Sequence, residues 1–264
     1  MKNTLLLWLN TVSLLLVLVV NYLYGSGSMA DNTVGEISAK YPTLITPAGY
    51  AFSIWGLIYL LLIGFVVYQW VGRSPEKDLQ SLQPAGIWFF ISNLANAGWI
   101  IAWTSDQILL SLLLIFVLLF SLIKLCINLR LEIWDAPVRQ IALVWWPICI
   151  YTGWVILATV LNVAVFLKAS GWEGGGIDES IWAALVLVVA GAIYIFLTFH
   201  RNMRETTFVA TWGLIAIVFS LPDDQSLVWW TALLVSVIVF GVGLYHGMKN
   251  HDTTPVEKWK RGEI

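Results

Sequence analysis

The stretch TPAGYAFSIWGLIY, Thr46 to Tyr59, opens an apolar run that continues to Tyr68. A proline just ahead of an unbroken apolar segment reads as a helix start, and at 3.6 residues per turn Phe52, Trp55 and Tyr59 fall on one face. The stretch is an aromatic stripe laid into a helix of membrane-spanning length. No charge, thiol or imidazole accompanies it. It therefore points to binding by shape and ring stacking, not to acid–base chemistry.

The composition around this stretch is that of an integral membrane protein. Of 264 residues, 59% are hydrophobic and 11% charged, and the mean hydropathy is +0.81, outside the range of soluble domains. Aromatic belts at the membrane interface account for a share of the sixteen tryptophans. The net charge of −2 says nothing about nucleic acid, but no basic patch with interleaved aromatics is present, and nucleic acid is set aside as a partner. Cys126 and Cys149 lie inside apolar runs and read as small hydrophobes, neither disulfide partners nor metal ligands.

Apolar runs at about 4–24, 48–71, 86–104, 107–129, 141–167, 180–199, 207–221 and 227–248 predict an all-α protein with eight spans. The first run is about twice the length of a signal-peptide core and is read as a retained helix. Residues 25–46 read as a polar loop. The stretch Ala169 to Gly176 lacks the strand and the Lys-Ser/Thr that a phosphate-cradling loop needs, and reads as a linker. The expected division is a five-helix unit at 1–168, a Gly-rich linker at 169–179, a three-helix extension at 180–248 and a basic tail at 249–264.

Lysine and arginine collect in cytoplasmic loops. With eight spans and the N-terminus inside, Lys2, Arg73, Lys77, Lys124, Arg130, Arg139, Arg201, Arg204, Lys249, Lys258, Lys260 and Arg261 fall on the inner side, and only Lys40 and Lys168 on the outer. This asymmetry predicts both termini in the cytoplasm. The outer loops hold the acids Asp31, Glu36, Asp106, Glu173, Asp178, Glu179, Asp223 and Asp224.

Ionisable residues deep in a bilayer mark proton relays and ion paths. Every Asp and Glu here falls in a connector or tail, and Lys124, about a turn from its helix end, can snorkel, which argues against a proton-coupled pump and against a buried-lysine photoreceptor. His200, His246 and His251 sit at helix ends or in the tail, so paired haem ligation is not expected, and no Ser-His-Asp, HExxH or CxxC pattern is present. The reading is of a protein that is not an enzyme of the usual kinds and requires no cofactor or metal.

The apolar runs do contain aromatic and amide groups at helical spacing. Ser92, Asn96, Trp99 and Trp103 share a face of the third helix; Tyr151, Trp154, Ala158 and Asn162 share a face of the fifth. Each Asn has two readings, a polar fixing for a ligand or a hydrogen bond to a neighbouring helix. With the second-helix stripe, these faces enclose a pocket of rings suited to a flat, largely apolar ligand.

The second-helix stretch from Pro47 to Tyr59, Asn96-Ala-Gly-Trp99 and Tyr151-Thr-Gly-Trp154 with Ala158-Thr-Val-Leu-Asn162 together resemble the TspO/MBR family, which comprises the tryptophan-rich sensory proteins and the mitochondrial translocator protein or peripheral benzodiazepine receptor. The resemblance covers about residues 4–168. It implies a five-helix bundle with a pocket opening toward the loop between the first two helices. It also implies a porphyrin or other tetrapyrrole, a sterol or an aromatic drug as ligand, frequent homodimers, and for some members light-dependent porphyrin breakdown. Two departures stand out: Ile150 replaces the family's proline before the fifth-helix tyrosine, and the first loop offers Tyr41 and Tyr50 where the family has tryptophans.

Together these readings predict a multi-pass protein of the lipid bilayer, a bacterial inner or plasma membrane, that binds a small hydrophobic ligand. The expected binding residues are Tyr50, Phe52, Trp55, Tyr59, Asn96, Trp99, Tyr151, Trp154 and Asn162. The alternative function is transport of a small neutral or lipophilic solute, to which eight spans are suited although nothing in them marks a coupling ion. The three C-terminal helices are expected to cover the surface the family uses to dimerise, with the glycines of Gly243 to Gly247 packing them tightly.

Overall fold

The computed structural model describes residues 2–71, 74–221 and 226–263 and is all-helical among them. Arg73, Asp223 and Asp224 lie outside the described residues. In chain order the helices are α1 (Lys2–Gly25), α2 (Val34–Lys40), α3 (Ile54–Trp70) preceded by a 3-10 turn at Gly49–Ser53, α4 (Pro75–Ala85), α5 (Trp88–Thr104) and α6 (Ile108–Asn128). There follow α7 (Val138–Ala169), α8 (Glu179–Arg201), α9 (Glu205–Val218), α10 (Ser226–Lys249) and α11 (Pro255–Lys260).

Local chemistry explains most boundaries. Thr33 and Glu36 form a reciprocal capping box that starts α2. Ser74 caps α4 ahead of Pro75, and the Asp178 carboxylate accepts from the Ser180 amide at the start of α8. Gly86, at φ +51°, ends α4, and α4 meets α5 at a 42° bend. Pro147 has no amide to offer the preceding turn, and the helix widens to i→i+5 bonding over Ile141–Trp145 just before it. Asn202, in the left-handed conformation, closes α8.

Six of these helices are long and apolar enough to cross a membrane, and α4 with α5 makes a seventh if the bent pair is one span. α9 is 14 residues, about 21 Å of helix against a hydrocarbon core of about 30 Å. The eight expected apolar helices are therefore all formed, but the seventh is too short to cross unaided. The exposed faces of α6 and α8 carry Leu109, Leu113, Phe116, Phe120, Val188, Val189 and Phe196, a surface fit for lipid.

α7 is the axis of the molecule. One side packs against α3 and α6, with α5 and α1 beyond; the other receives α9, flanked by α8 and α10. Gly153 is the reason α9 can approach: a Cβ there would lie 3.2 Å from the Thr206 Cα. The Tyr194 hydroxyl of α8, fully buried, donates to the Gly153 carbonyl at 2.8 Å. The expected close packing of α10 through both of its paired glycines holds at one only. A Cβ on Gly243 would meet the Thr207 Oγ1 at 2.1 Å, whereas Gly247 faces open space.

Loop contacts define two ends. At one, Asn32 and Lys40 meet Thr104 and Asp106, Lys168 pairs with Glu179, and Ser220 meets Thr46. At the other, Asn3 meets Asp78, Asn202 meets Glu132, and α11 docks through the buried Lys258 onto Asp135. Lys40 and Lys168, the basic residues at the first end among the described residues, are each paired with an acid.

Candidate functional site

The second-helix stripe, the third-helix face and the fifth-helix face converge on Trp55. Its ring stacks on Tyr59 with centroids 5.5 Å apart, and meets Tyr151 at 5.9 Å, Trp99 at 6.1 Å and Trp154 at 6.4 Å. Phe52 closes edge-on against Trp154 at 6.1 Å, and Trp99 stacks on Trp103 at 5.8 Å. Offset and edge-to-face geometries of this kind are the favoured ones for aromatic pairs.

The amides brace the cage. Asn96 Oδ1 accepts from Asn21 at 3.0 Å and from the Tyr59 hydroxyl at 3.5 Å, and Asn96 Nδ2 donates to the Tyr151 hydroxyl at 2.7 Å. Asn162 Oδ1 accepts the Trp99 indole N–H at 2.9 Å, and Asn162 Nδ2 donates to Ser111 at 3.1 Å. Both amides serve as interhelical hydrogen bonds here. The indole N–H of Trp154 differs: it is buried without a hydrogen-bond partner, the only such polar atom in the cage among the described residues.

α2 lies over the mouth. Val34 and Ser38 face the cage, the Val34 carbonyl accepts the Trp103 indole N–H at 3.2 Å, and Lys40 is ion-paired to Asp106. Hydrogen bonds from the Thr33 backbone and hydroxyl hold the Glu36 carboxyl below its usual range, and Asp106 raises the Lys40 amine. Below this lid the free space is ≈ 30 Å³, about one water. Sites for drug-sized ligands hold roughly 300–1,000 Å³. The walls are in place and the cavity between them is closed.

A family model described as TSPO-like protein matches residues 7–245. The chain belongs to this TSPO-like family. No curated protein and no solved structure matches it. The family match does not stop at residue 168 but runs through α8, α9 and most of α10.

In this TSPO-like chain eight of the nine expected residues, Phe52, Trp55, Tyr59, Asn96, Trp99, Tyr151, Trp154 and Asn162, are brought together in or directly around the cage. Tyr50 is not. It is 42% exposed and packs edge-on against Trp212 of α9 at 5.1 Å. The same indole donates to the Ala51 carbonyl, and the Ala48 amide donates to Ala216, so α9 fastens the start of the second-helix stretch.

Two contributors were missed in the sequence. Asn21 stands three turns from Asn10 in an otherwise apolar run, a pattern that marks a packed face, yet nothing local told that it would meet Asn96. The lid helix lay in what read as a polar loop, although Thr33-Val-Gly-Glu36 is a capping-box signature. A second and larger recess, ≈ 970 Å³, runs between α7 and α8, walled by Val160, Ala164, Val186 and Val189 beneath Trp172 and Trp182.

Proposed function

We propose that this TSPO-like protein is a membrane-embedded binding or sensory protein that takes a flat hydrophobic ligand, a porphyrin or similar tetrapyrrole, in the cage around Trp55. The observation that carries the reading is the convergence of five rings on one cage in which the fully buried Trp154 indole N–H has no hydrogen-bond partner among the described residues. Rings supply stacking area and the lone donor supplies orientation. Because the closed cage has room for about one water, entry requires α2 to lift and Trp55 to swing away from its neighbours.

Both termini lie in the cytoplasm under this proposal and the lid faces outward, in a bacterial inner or plasma membrane, since among the described residues the basic ones other than Lys40 and Lys168 are at the opposite end. Titration with a porphyrin is expected to quench tryptophan emission saturably. Trp55→Ala with Trp154→Ala removes the saturable phase, and Thr33→Ala, which removes the lid's N-cap, speeds its onset. Quenching that is unchanged in the double variant overturns the proposal.

A second reading, transport of a small lipophilic solute, is favoured by the ≈ 970 Å³ recess between α7 and α8. Uptake into proteoliposomes that persists in the Trp55→Ala, Trp154→Ala protein would support it.

A further inference from the structure

Three side chains that the sequence placed apart meet at the tail end of the bundle. Glu132 belongs to the connector between α6 and α7, Cys149 to the early turns of α7, and Glu205 is the first residue of α9. A carboxylate oxygen of each glutamate and the Cys149 Sγ all lie within 4.8 Å of one another. Cys149 is 0% exposed, and its thiol hydrogen-bonds to none of the described residues. Glu132 Oε1 and Glu205 Oε2 are likewise buried and make no hydrogen bond among the described residues.

Two carboxylates facing each other away from water are stabilised by a proton or a cation between them, and Arg204 pairs with only one oxygen of Glu205. The thiol decides between these. It contributes nothing to a shared proton, but a thiolate beside two carboxylates is a ligand set for a metal ion of borderline softness. Calcium and magnesium take oxygen ligands and have no use for the sulfur. The other oxygen of Glu205 lies 3.4 Å from Arg204 Nε, as an outer partner that holds a ligating carboxylate in position. Asn202 donates to the Glu132 carbonyl at 2.8 Å and so fixes the connector against α8.

We propose that Glu132, Cys149 and Glu205 form a binding site for a divalent transition-metal ion of the zinc class. Bound, the ion ties the α6–α7 connector and α7 to the start of α9, fastening the C-terminal helices to the first five. Tetrahedral coordination brings ligand atoms to roughly 3.5 Å from one another and leaves a fourth position for water. Small side-chain rotations close the difference. The cysteine that read as an apolar filler acquires a role through its neighbours.

The test uses the full chain, purified without a histidine tag and stripped with chelator, titrated with Co²⁺ and with Zn²⁺. One equivalent of Co²⁺ is expected to give sulfur-to-metal charge-transfer absorption that Zn²⁺ abolishes by displacement. Cys149→Ser removes the band, Glu205→Gln lowers the affinity at least ten-fold, and Cys126→Ser, whose sulfur faces Thr152, leaves both unchanged. Zn²⁺ also raises the thermal midpoint of the stripped wild-type protein, a readout that needs no variant. Absence of a saturable Co²⁺ signal in the wild-type chain overturns the proposal, as does a band that survives Cys149→Ser. So does a thermal midpoint indifferent to Zn²⁺ that moves with pH and loses that dependence in Glu132→Gln, the signature of a shared proton.

Discussion

Asn96 shows how much one polar side chain organises inside an apolar bundle. It is fully buried and joins α1, α3 and α7 to α5 through Asn21, Tyr59 and Tyr151. Interhelical hydrogen bonds in membranes contribute about 0.6–2 kcal/mol each, so Asn96→Ala is expected to cost about 2 kcal/mol. Thermal unfolding in detergent checks this, with Leu94→Ala, on the exposed face of the same helix, as the near-neutral control. The presence of an amide at position 96 was legible in the sequence, and so was the choice between ligand and helix as its partner. The partner itself was not, because Asn21 lies 75 residues away and only the rotation of α1 about its axis brings it round.

At the scale of elements, the approach of α10 to α9 depends on one glycine. A Cβ at Gly243 meets Thr207, whose Cβ is also only 3.2 Å away and cannot swing aside like the end of a longer side chain. Gly243→Ala is expected to destabilise the protein by about 1–3 kcal/mol. Gly247→Ala, with no neighbour within 4 Å, is neutral or slightly stabilising because alanine is the better helix former. Measured midpoints that shift equally in the two variants would show that the helices do not meet here. The sequence offered both glycines as a pair; helix phase and crossing point select one. Element lengths follow the same division, since the long apolar runs became long helices, while α9 stays at 14 residues and owes its place to the tight fit at Gly153 and Gly213.

At the scale of the whole molecule, the proposed alternation of eight spans puts nearly all basic residues at one end, and this arrangement makes a prediction about sidedness. With the native cysteines Cys126 and Cys149 both buried, a membrane-impermeant thiol reagent applied to intact cells is expected to label Ser28→Cys at the lid end and to spare Asp252→Cys in the tail until the membrane is opened. Equal labelling of both would place the tail and the lid on one side and break the alternation. The α9 helix, too short to cross unaided, is the element that such a result would implicate.

The sequence by itself determined the membrane class, the positions of the eight apolar helices, the aromatic faces and the family they resemble. These depend on hydropathy, helical period and local spacing, all of which are properties of neighbouring residues. Only the tertiary structure decided that both cage amides are spent on neighbouring helices, that α2 closes the mouth, that Tyr50 belongs to the contact with Trp212, and that Glu132 and Glu205 turn inward to meet Cys149. Each of these is a meeting of side chains far apart in the chain. Helix rotation and packing distance decide such meetings, and neither quantity is written in the apolar pattern of any single helix.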